Sequence, residues 1–155
     1  MFGLYGQHLS LKTGQPLGSR LDPLTPEARS QLMAKVRSKG NESTEKTMAR
    51  ILRSERISGW RRHRSDLPGR PDFYFPAQRL AVFVHGCFWH GCPRCYRAPK
   101  SNRPFWQAKV SENRARDQRV TYQLRAMGIR TVTVWEHEVA GTVWIRRLRR
   151  RLTVG

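Results

Sequence analysis

The densest group of chemically reactive side chains in the sequence is a short cysteine-rich segment. Cys87, Cys92 and Cys95 lie within nine residues of one another. The spacing Cys92-x2-Cys95 lets two thiolates bind one tetrahedral metal ion, and Cys87 is close enough to supply a third ligand. Zinc then needs a fourth ligand, for which the chain offers five histidines: His8, His63, His85, His90 and His137. The segment therefore predicts a zinc site made of three cysteines and one histidine.

Among these histidines, His137 is best placed to complete the zinc site. It follows a predicted strand ending at Trp135, and that strand is expected to run beside residues 80–84 in the centre of a sheet. The end of such a strand lies close to the cysteine segment. Two alternatives stay open, namely three idle thiols and a redox pair made by Cys92 and Cys95. No thioredoxin-like strand and helix surround that pair, which disfavours redox chemistry.

Asp72 stands out among the eleven acidic residues because it follows a turn ending in Pro71 and opens an aromatic strand. A plain turn or edge role explains such an aspartate equally well. Enzymes that cleave phosphodiesters need oxygen ligands for Mg²⁺, which neutralises phosphate charge and lowers the pKa of an attacking water. Many nucleases of the restriction-endonuclease fold carry Pro-Asp on one strand and Asp/Glu-x-Lys on the next. Here the second half is missing, and Phe83-Val84-His85 stands in its place.

Three other side chains can support catalysis beside Asp72. His85 and His90 titrate near neutral pH and can activate or position water in place of the missing lysine. His85 is equally compatible with a packed strand end, and His90 with metal ligation. Glu45 lies in the first turn of a predicted helix, where the helix dipole alone favours a carboxylate. Catalytic and structural interpretations of Glu45 therefore both stay open.

Aromatic pairs occur among basic residues in two places, Phe88-Trp89 and Phe105-Trp106. Such rings can stack on bases or wedge between them while nearby cations hold phosphates. Packing of one ring from each pair in the core is the competing interpretation. The C-terminal arginines at 146, 147, 149, 150 and 151 most simply form a solvated face that attracts phosphates without sequence preference.

The excess of basic residues in the chain favours a polyanionic partner. The chain has 155 residues, with 30 Lys and Arg against 11 Asp and Glu, so its formal net charge is +19. Such a charge favours nucleic acid as the partner. The longest apolar run, residues 80–84, is far too short to span a bilayer, and no secretory signal is recognisable. We expect a cytoplasmic, nucleoid-associated protein with no membrane partner.

Local patterns predict the elements that position these residues. Residues 1–24 show no sustained period and predict a flexible arm, followed by one domain at residues 25–155. Thr25-Pro26 predicts a helix start, with a break at residues 38–41 and a second helix at 43–58. Further strands are predicted at 60–63, 72–75, 80–85 and 129–135, and helices at 103–127 and 143–152. Helices on both sides of a short sheet make an α/β sandwich.

The combined motifs resemble the very short patch repair (Vsr) DNA mismatch endonuclease family over roughly residues 26–137. The similarity is carried by four segments: Leu67-Pro68-Gly69-Arg70-Pro71-Asp72-Phe73, Phe83-Val84-His85-Gly86-Cys87-Phe88-Trp89-His90, Phe105-Trp106-x2-Lys109-x3-Asn113-x2-Arg116-Asp117 and Val134-Trp135-Glu136. The resemblance implies a restriction-endonuclease-like mixed sheet flanked by helices, with a structural zinc site. It also implies a Mg²⁺-dependent enzyme that nicks one strand 5′ to the thymine of a T·G mismatch left by deaminated 5-methylcytosine.

The resemblance also implies roles for individual residues. Asp72 and the backbone carbonyl of Val84 would bind Mg²⁺, and His90, His85 and Glu45 would be the catalytic groups. The implied DNA-binding residues are the wedge residues Phe88, Trp89 and Trp106, the mismatch-reading residues Lys109 and Asn113, and the groove-contacting residues Met33 and Val36.

Zinc would be held by Cys87, Cys92, Cys95 and His137, although the family pattern has histidine and cysteine exchanged between two of these positions. The implied partner is double-stranded DNA with a T·G mismatch, bound by a monomer that also contacts mismatch-repair proteins. Two other functions stay open, a non-catalytic zinc module that binds DNA and a general restriction-type nuclease. Only the mismatch enzyme needs both Asp72 and a T·G pair.

Overall fold

The computed structural model describes residues 25–100 and 102–153, and for most of residues 26–41 it describes the helical backbone alone. Three helices and four strands follow one another: α1 (Pro26–Ser54), β1 (Arg61–Arg62), β2 (Phe73–Phe75), β3 (Leu80–His85), α2 (Arg103–Ala126), β4 (Arg130–Trp135) and α3 (Val143–Thr153). A short 3-10 helix, Glu136–Glu138, follows β4. The predicted α/β class and most of the predicted elements are confirmed.

The first helix differs from the prediction. It begins as expected, because Pro26 is its first residue and the Thr25 hydroxyl oxygen accepts a 3.2 Å hydrogen bond from the backbone N–H of Ala28. It then continues without the predicted break at residues 38–41. The break was predicted from the segment Ser38-Lys39-Gly40-Asn41, but its one glycine costs a helix only about 1 kcal/mol and no proline accompanies it. The predicted pair of helices is therefore wrong.

Two compact units divide the chain, residues 1–34 and residues 35–155. The first unit contributes to the described residues only the beginning of α1. The sheet, α2, α3 and every candidate site side chain described below belong to the second unit. The predicted arm at residues 1–24 lies outside the described residues and stays a prediction, as does the predicted domain boundary. None of the described helices is long and apolar enough to cross a membrane.

The sheet has the strand order β1-β2-β3-β4 and is mixed. β1–β2 and β2–β3 pair antiparallel, whereas β3 and β4 pair parallel from Leu80 opposite Arg130 to His85 opposite Trp135. Because β3 and β4 are parallel, their C-terminal ends meet at one edge, as the sequence predicted. Asp72 immediately precedes β2, which runs antiparallel to β3, and so it lies at the same edge.

Both faces of the sheet are covered, which explains the almost continuous apolar run of β3. One face packs against residues of α1 and α3, and this core includes Met48, Leu52, Val82, Val84, Val134, Trp144 and Leu148. The other face packs against α2, and this smaller core includes Tyr74, Ala81, Leu124 and Ile129. The predicted arrangement of helices on both sides of the sheet is confirmed, and it fixes the edge where the candidate site residues meet.

Candidate active site

Asp72 and Glu45, which are far apart in sequence, meet at the edge of the sheet. Glu45 lies on α1 with only 7% of its surface exposed. Asp72 accepts a 2.6 Å hydrogen bond at Oδ2 from the backbone N–H of Val84. The structure thus brings together the two carboxylates predicted from sequence and places the backbone of Val84 beside Asp72.

His63 joins this carboxylate pair, a role that the sequence did not indicate. Its Nε2 lies 3.2 Å from Oε2 of Glu45, and Arg62 donates to the same oxygen at 2.7 Å. One donor atom from each of Glu45, His63 and Asp72 lies within 4.8 Å of the other two. Asp72 comes near because β1 and β2 are antiparallel and Arg62 pairs with Phe73, so His63, which follows Arg62, continues the register opposite Asp72, which precedes Phe73. We name Glu45, His63 and Asp72 the carboxylate cluster.

Burial changes the acidity of Asp72. Loss of solvent, opposed by the Val84 hydrogen bond and reinforced by the charge of Glu45, raises the pKa of Asp72 to about 7. Two carboxylates this close repel each other when both are ionised. A bound cation relieves that repulsion, so the donor set suits a divalent metal ion that prefers oxygen ligands.

His90, His85 and Asp117 form a second group, which we name the histidine cluster. His90 donates a 2.6 Å hydrogen bond from Nδ1 to Oδ2 of Asp117. The ring of His85 stacks on the ring of His90 with centroids 3.9 Å apart and planes inclined by 14°. Sequence reasoning assigned no role to Asp117, although it belongs to the α2 motif. The sequence feature that could have identified Asp117 is its position one helical turn after Asn113 on the same helix.

Two groups of the histidine cluster, His85 and Asp117, have shifted pKa values. Burial, together with the neighbouring His90, lowers the pKa of His85 to about 4, so this ring is neutral at pH 7. Burial opposes ionisation of Asp117, but the hydrogen bond to His90 and the charges of the neighbouring His90, His85 and Arg116 together outweigh burial and lower its pKa. An ionised Asp117 fixes the tautomer of His90 and leaves Nε2 as the ring nitrogen available to water.

Both clusters border one groove of about 640 Å³. Asp72 of the carboxylate cluster lines it together with Val84, and His85, His90 and Asp117 line it from the histidine cluster. The groove therefore presents a metal-binding carboxylate, a neutral imidazole and a carboxylate-supported imidazole to one space. This set can activate water for attack on an ester of phosphoric acid.

The three cysteines and His137 also come together. One ligand atom from each of Cys87, Cys92, Cys95 and His137 lies within 4.8 Å of the others. Nδ1 of His137 is 3.2 Å from Sγ of Cys87 and 3.7 Å from Sγ of Cys92. Ligand atoms on a tetrahedral zinc ion are separated by about 3.5–3.8 Å, given the usual Zn–S and Zn–N bond lengths. The four residues therefore fit a closed structural zinc site.

The acidity of the thiols also fits a cation-binding site. Burial and the neighbouring thiols raise the pKa of Cys87 to about 12, despite an opposing hydrogen bond involving His137. Thiols this close cannot all become thiolates without a compensating positive charge. Zinc supplies such a charge and deprotonates its cysteine ligands.

The predicted wedge residues form an aromatic cluster. Phe88 contacts Trp89 and Trp106 edge-to-face, with ring centroids 5.3 and 5.1 Å apart. Trp106 is only 7% exposed, whereas Phe105 is 49% exposed. One ring of the Phe105-Trp106 pair is thus packed inside, as the structural alternative expected. The buried ring of Trp106 contacts the rings of both Phe88 and Trp89.

Helix α2 holds the loop that carries these rings. Asn113 is buried, and its side-chain amide donates a 2.7 Å hydrogen bond to the carbonyl of Trp89. Arg114 donates to the carbonyl of Gly91. A Cβ atom added to Gly91 would lie 2.5 Å from a methyl group of Val110, so only glycine allows this close approach. These contacts fix the orientation of Trp89 relative to α2.

Of the remaining predicted DNA-binding residues, the structure describes the side chain of Lys109 but not those of Met33 and Val36. Lys109 is partly exposed on α2 and forms a 3.3 Å ion pair with Glu112. Met33 and Val36 fall on the α1 backbone, but their side chains lie outside the described part of the chain. Their predicted groove contacts stay predictions, and His8, an early zinc candidate, lies outside the described residues as well.

Comparison with known proteins identifies the relatives of this chain. The family model described as DNA mismatch endonuclease Vsr matches residues 21–97. The type II nicking enzyme V.XorIIP of Xanthomonas oryzae pv. oryzae is 49% identical over 121 residues, which cover 77% of this chain and 87% of the relative. V.NmeAIP, a type II nicking enzyme of Neisseria meningitidis serogroup A, is 32% identical over 84% of this chain and 93% of the relative. The DNA mismatch endonuclease Vsr of Escherichia coli is 37% identical over 63% of this chain and 62% of the relative. The chain therefore belongs to the Vsr family of DNA mismatch endonucleases.

Proposed function

We propose that the protein is a Mg²⁺-dependent DNA repair endonuclease that nicks one strand of a duplex 5′ to the thymine of a T·G mismatch. The observation that carries this proposal is the meeting of the carboxylate cluster and the histidine cluster along one groove. The mixed sheet that positions them agrees with a restriction-endonuclease-like fold. Family membership and a net charge of +19 support DNA as the substrate.

Asp72, the backbone carbonyl of Val84 and Glu45 are the groups we assign to the catalytic Mg²⁺. The raised pKa of Asp72 and its closeness to Glu45 fit a site that a cation stabilises. When bound, Mg²⁺ neutralises charge on the scissile phosphate and acidifies a water molecule. His63 and Arg62 hold Glu45 through its Oε2 atom, which leaves the other carboxylate oxygen for the metal or its water.

Within the histidine cluster we assign the general base to His90. Asp117 holds its Nδ1, so Nε2 accepts the proton of the attacking water, and the ionised Asp117 stabilises the imidazolium that forms. His85 is neutral at pH 7, as its lowered pKa requires. It therefore serves as an uncharged hydrogen-bonding partner that orients water or a phosphate oxygen.

A zinc ion bound by Cys87, Cys92, Cys95 and His137 would have a structural role. Three thiolates and one imidazole leave no open coordination position, which is typical of structural rather than catalytic zinc. The site joins the loop after β3 to the short helix after β4. Loss of the ion would release the loop that carries His90 and Trp89, so metal removal affects the active site indirectly.

Mismatch preference would come from the aromatic cluster. A wedge between base pairs costs a few kcal/mol of stacking, and a T·G pair loses less on distortion than a matched pair. We assign the wedge to Phe88 and Trp89, with Trp106 supporting them. Lys109 is partly exposed and can read the mismatched pair directly, whereas the buried Asn113 contributes by holding Trp89.

The decisive experiment uses end-labelled duplexes that differ by one base. The protein is incubated with Mg²⁺ and a T·G duplex, with T·A and C·G duplexes as controls and each strand labelled in turn. We expect a single nick on the T strand, 5′ to the mismatched thymine, which disappears with EDTA or with Asp72→Asn. Equal nicking of matched duplexes would indicate a general nuclease. Tight binding with no nicking in any metal would indicate a non-catalytic DNA-binding module.

A further inference from the structure

The groove beside the catalytic groups continues along α2 beyond them. Asp117 lies at the catalytic end, and Thr121, Tyr122 and Arg125 line the groove further along the helix. Arg125 follows Asp117 by eight residues, so about 12 Å of helix separates them at 1.5 Å per residue. The carboxylate and histidine clusters occupy only one end of this space, and nothing assigned so far uses the other end.

The charges along the groove indicate an anionic occupant. Arg70, Arg116 and Arg125 line it, and among the described residues the only acidic side chains that line it are Asp72 and Asp117. Those two carboxylates belong to the catalytic end. Guanidinium groups along the rest of the groove create a positive potential that suits a chain of phosphates.

Tyr122 is the second unusual feature of the groove. Its side chain is 76% exposed, although large apolar side chains on a helix more often pack against a neighbour. It lies three residues before Arg125, so both side chains occupy the same face of α2. An exposed aromatic ring beside a cation is the arrangement that stacks on a base while the cation holds the backbone.

Arg70 is held at the rim of the groove by an unusual backbone. Gly69 and Arg70 have φ angles of +73° and +49°, a conformation that residues other than glycine rarely adopt. A Cβ atom on Gly69 would lie 2.4 Å from a methyl group of Val120, so this loop packs directly on α2. That contact fixes Arg70 two residues before Asp72. Backbone strain of this kind is concentrated at functional sites.

We propose that this groove holds the backbone of the strand that is nicked, on one side of the scissile phosphate. Arg116 and Arg125 contact phosphates of this strand that lie several nucleotides apart, Tyr122 stacks on an adjacent base, and Arg70 contacts the strand next to Asp72. The distance of about 12 Å corresponds to roughly three nucleotides at a rise of 3.4 Å each. This assignment rests on the proposed nicking function and identifies which part of the substrate the enzyme grips.

The test measures binding in the inactive Asp72→Asn protein, so that the duplex stays intact. Single methylphosphonates, which remove the charge of one phosphate, are placed at each of several positions around the scissile phosphate of the T strand. Affinity is measured by fluorescence anisotropy with and without a second change, Arg125→Gln. At one position, neutralising the phosphate is expected to weaken binding about tenfold in Asp72→Asn and to have little further effect once Arg125 is replaced.

Arg119→Gln is the matched control, because Arg119 is exposed on the same helix but does not line the groove. It removes the same charge, so it lowers overall affinity while leaving the methylphosphonate effect at that position intact. An Arg125→Gln variant that behaves like Arg119→Gln at every phosphate would overturn the assignment of Arg125. Thermal unfolding of both variants confirms that the fold is unchanged, as expected for exposed positions.

Tyr122 is tested by removing bases instead of charges. An abasic site at the stacking position is expected to weaken binding roughly 5-fold or more in Asp72→Asn, but not when Tyr122→Ala is also present. Tyr122→Phe keeps the ring and should retain the effect. If abasic sites at all positions affect the Tyr122→Ala protein as they affect its parent, no base stacks on this ring and the proposal is wrong.

The outcomes separate this proposal from the proposed function. The groove assignment alone is refuted if the wild-type protein nicks the T·G duplex but no methylphosphonate or abasic effect depends on Arg125 or Tyr122. Coupling without nicking by the wild-type protein refutes the proposed activity and leaves the groove as a DNA-binding surface.

Discussion

Nδ1 of His90 lies 2.6 Å from Oδ2 of Asp117, a residue on α2 that lies 27 positions later in the chain. This pair joins the loop that carries the cysteines to the helix that forms the groove wall. The carboxylate fixes the ring tautomer of His90. The ring that we propose as the general base therefore depends on a residue outside its own loop.

We predict that Asp117→Asn lowers the nicking rate roughly 10²-fold or more, because the imidazolium formed at His90 loses its ionised partner. Binding to the T·G duplex should change little. Single-turnover nicking is the measurement, so that the chemical step is separated from DNA binding. Glu42→Gln, an exposed carboxylate on α1, is the control and should leave the rate unchanged. A rate reduced equally in both variants would show that only the overall charge matters.

The pKa of Asp72 predicts how the metal-free protein responds to pH. Folded Asp72 keeps its proton to about pH 7, whereas the unfolded chain releases it near 3.8. The folded state thus binds more protons in this window, and the free energy of unfolding falls as pH rises from about 4 to 7, by up to about 4 kcal/mol. His85 acts oppositely, because its pKa of about 4 makes stability rise with pH up to about 6.5.

The Asp72 contribution is isolated by comparison with Asp72→Asn. Thermal unfolding is measured in EDTA across pH 4–8, and the difference between the two proteins should shift in favour of the variant as pH rises. Added Mg²⁺ should stabilise the wild type more at pH 8 than at pH 6, because the ion binds the ionised carboxylate. Parallel pH profiles for the two proteins would contradict the raised pKa.

His63 provides a prediction about metal affinity. Its hydrogen bond to Glu45 resembles the outer contacts that orient metal ligands, whose loss usually weakens metal binding about 10- to 100-fold. We predict that His63→Gln lowers the affinity for Mn²⁺, a paramagnetic ion that replaces Mg²⁺, by at least tenfold. The measurement is an electron paramagnetic resonance titration of zinc-loaded protein. Arg61→Gln, an exposed neighbour on β1, should leave Mn²⁺ affinity unchanged, and equal affinities in all three proteins would contradict the role of His63.

The four-residue zinc site predicts about one zinc ion per chain. His137→Cys keeps four ligands and should retain zinc, whereas His137→Ala and Cys95→Ala should lose zinc and soluble yield. Zinc content is measured by mass spectrometry of the metal and compared with the thermal unfolding midpoint. His63→Gln is the control with unchanged zinc. Metal-free protein of normal stability would rule out a structural zinc site.

Much of the fold was predictable because the pattern of apolar residues along a strand reflects which of its faces are buried. Residues 80–85 are apolar on both faces of the strand, and alternation at residues 130–135 marks a strand with one more polar face. Placing these two strands side by side also predicted that His137 would meet the cysteines, which the structure confirms. The break in α1 was wrong because a single glycine, with no proline beside it, costs a helix only about 1 kcal/mol.

The parts of the site that sequence reasoning missed depend on tertiary geometry. His63 meets Glu45 only because β1 pairs with β2 in a particular register and because His63 adopts a left-handed backbone, with φ of +50°. Asp117 reaches His90 because α2 packs along the loop after β3. No local pattern encodes either contact. The role of Asn113 was missed for the same reason, since its partner is a backbone carbonyl rather than a motif residue.

Mismatch preference is predicted to depend on Trp89 and on the hydrogen bond that Asn113 donates to its carbonyl. Trp89→Ala and Asn113→Ala should each reduce the ratio of T·G to T·A duplex affinity, because the wedge is lost or misplaced, while salt-sensitive background binding persists. Replacing Arg150 and Arg151 by glutamine should do the opposite and weaken binding to both duplexes together. The slope of log affinity against log salt concentration should become shallower by up to about 0.9 per lost phosphate contact. Affinities for both duplexes are measured across a salt series. If Trp89→Ala lowers the two affinities equally, the aromatic cluster only packs the loop and the wedge assignment is wrong.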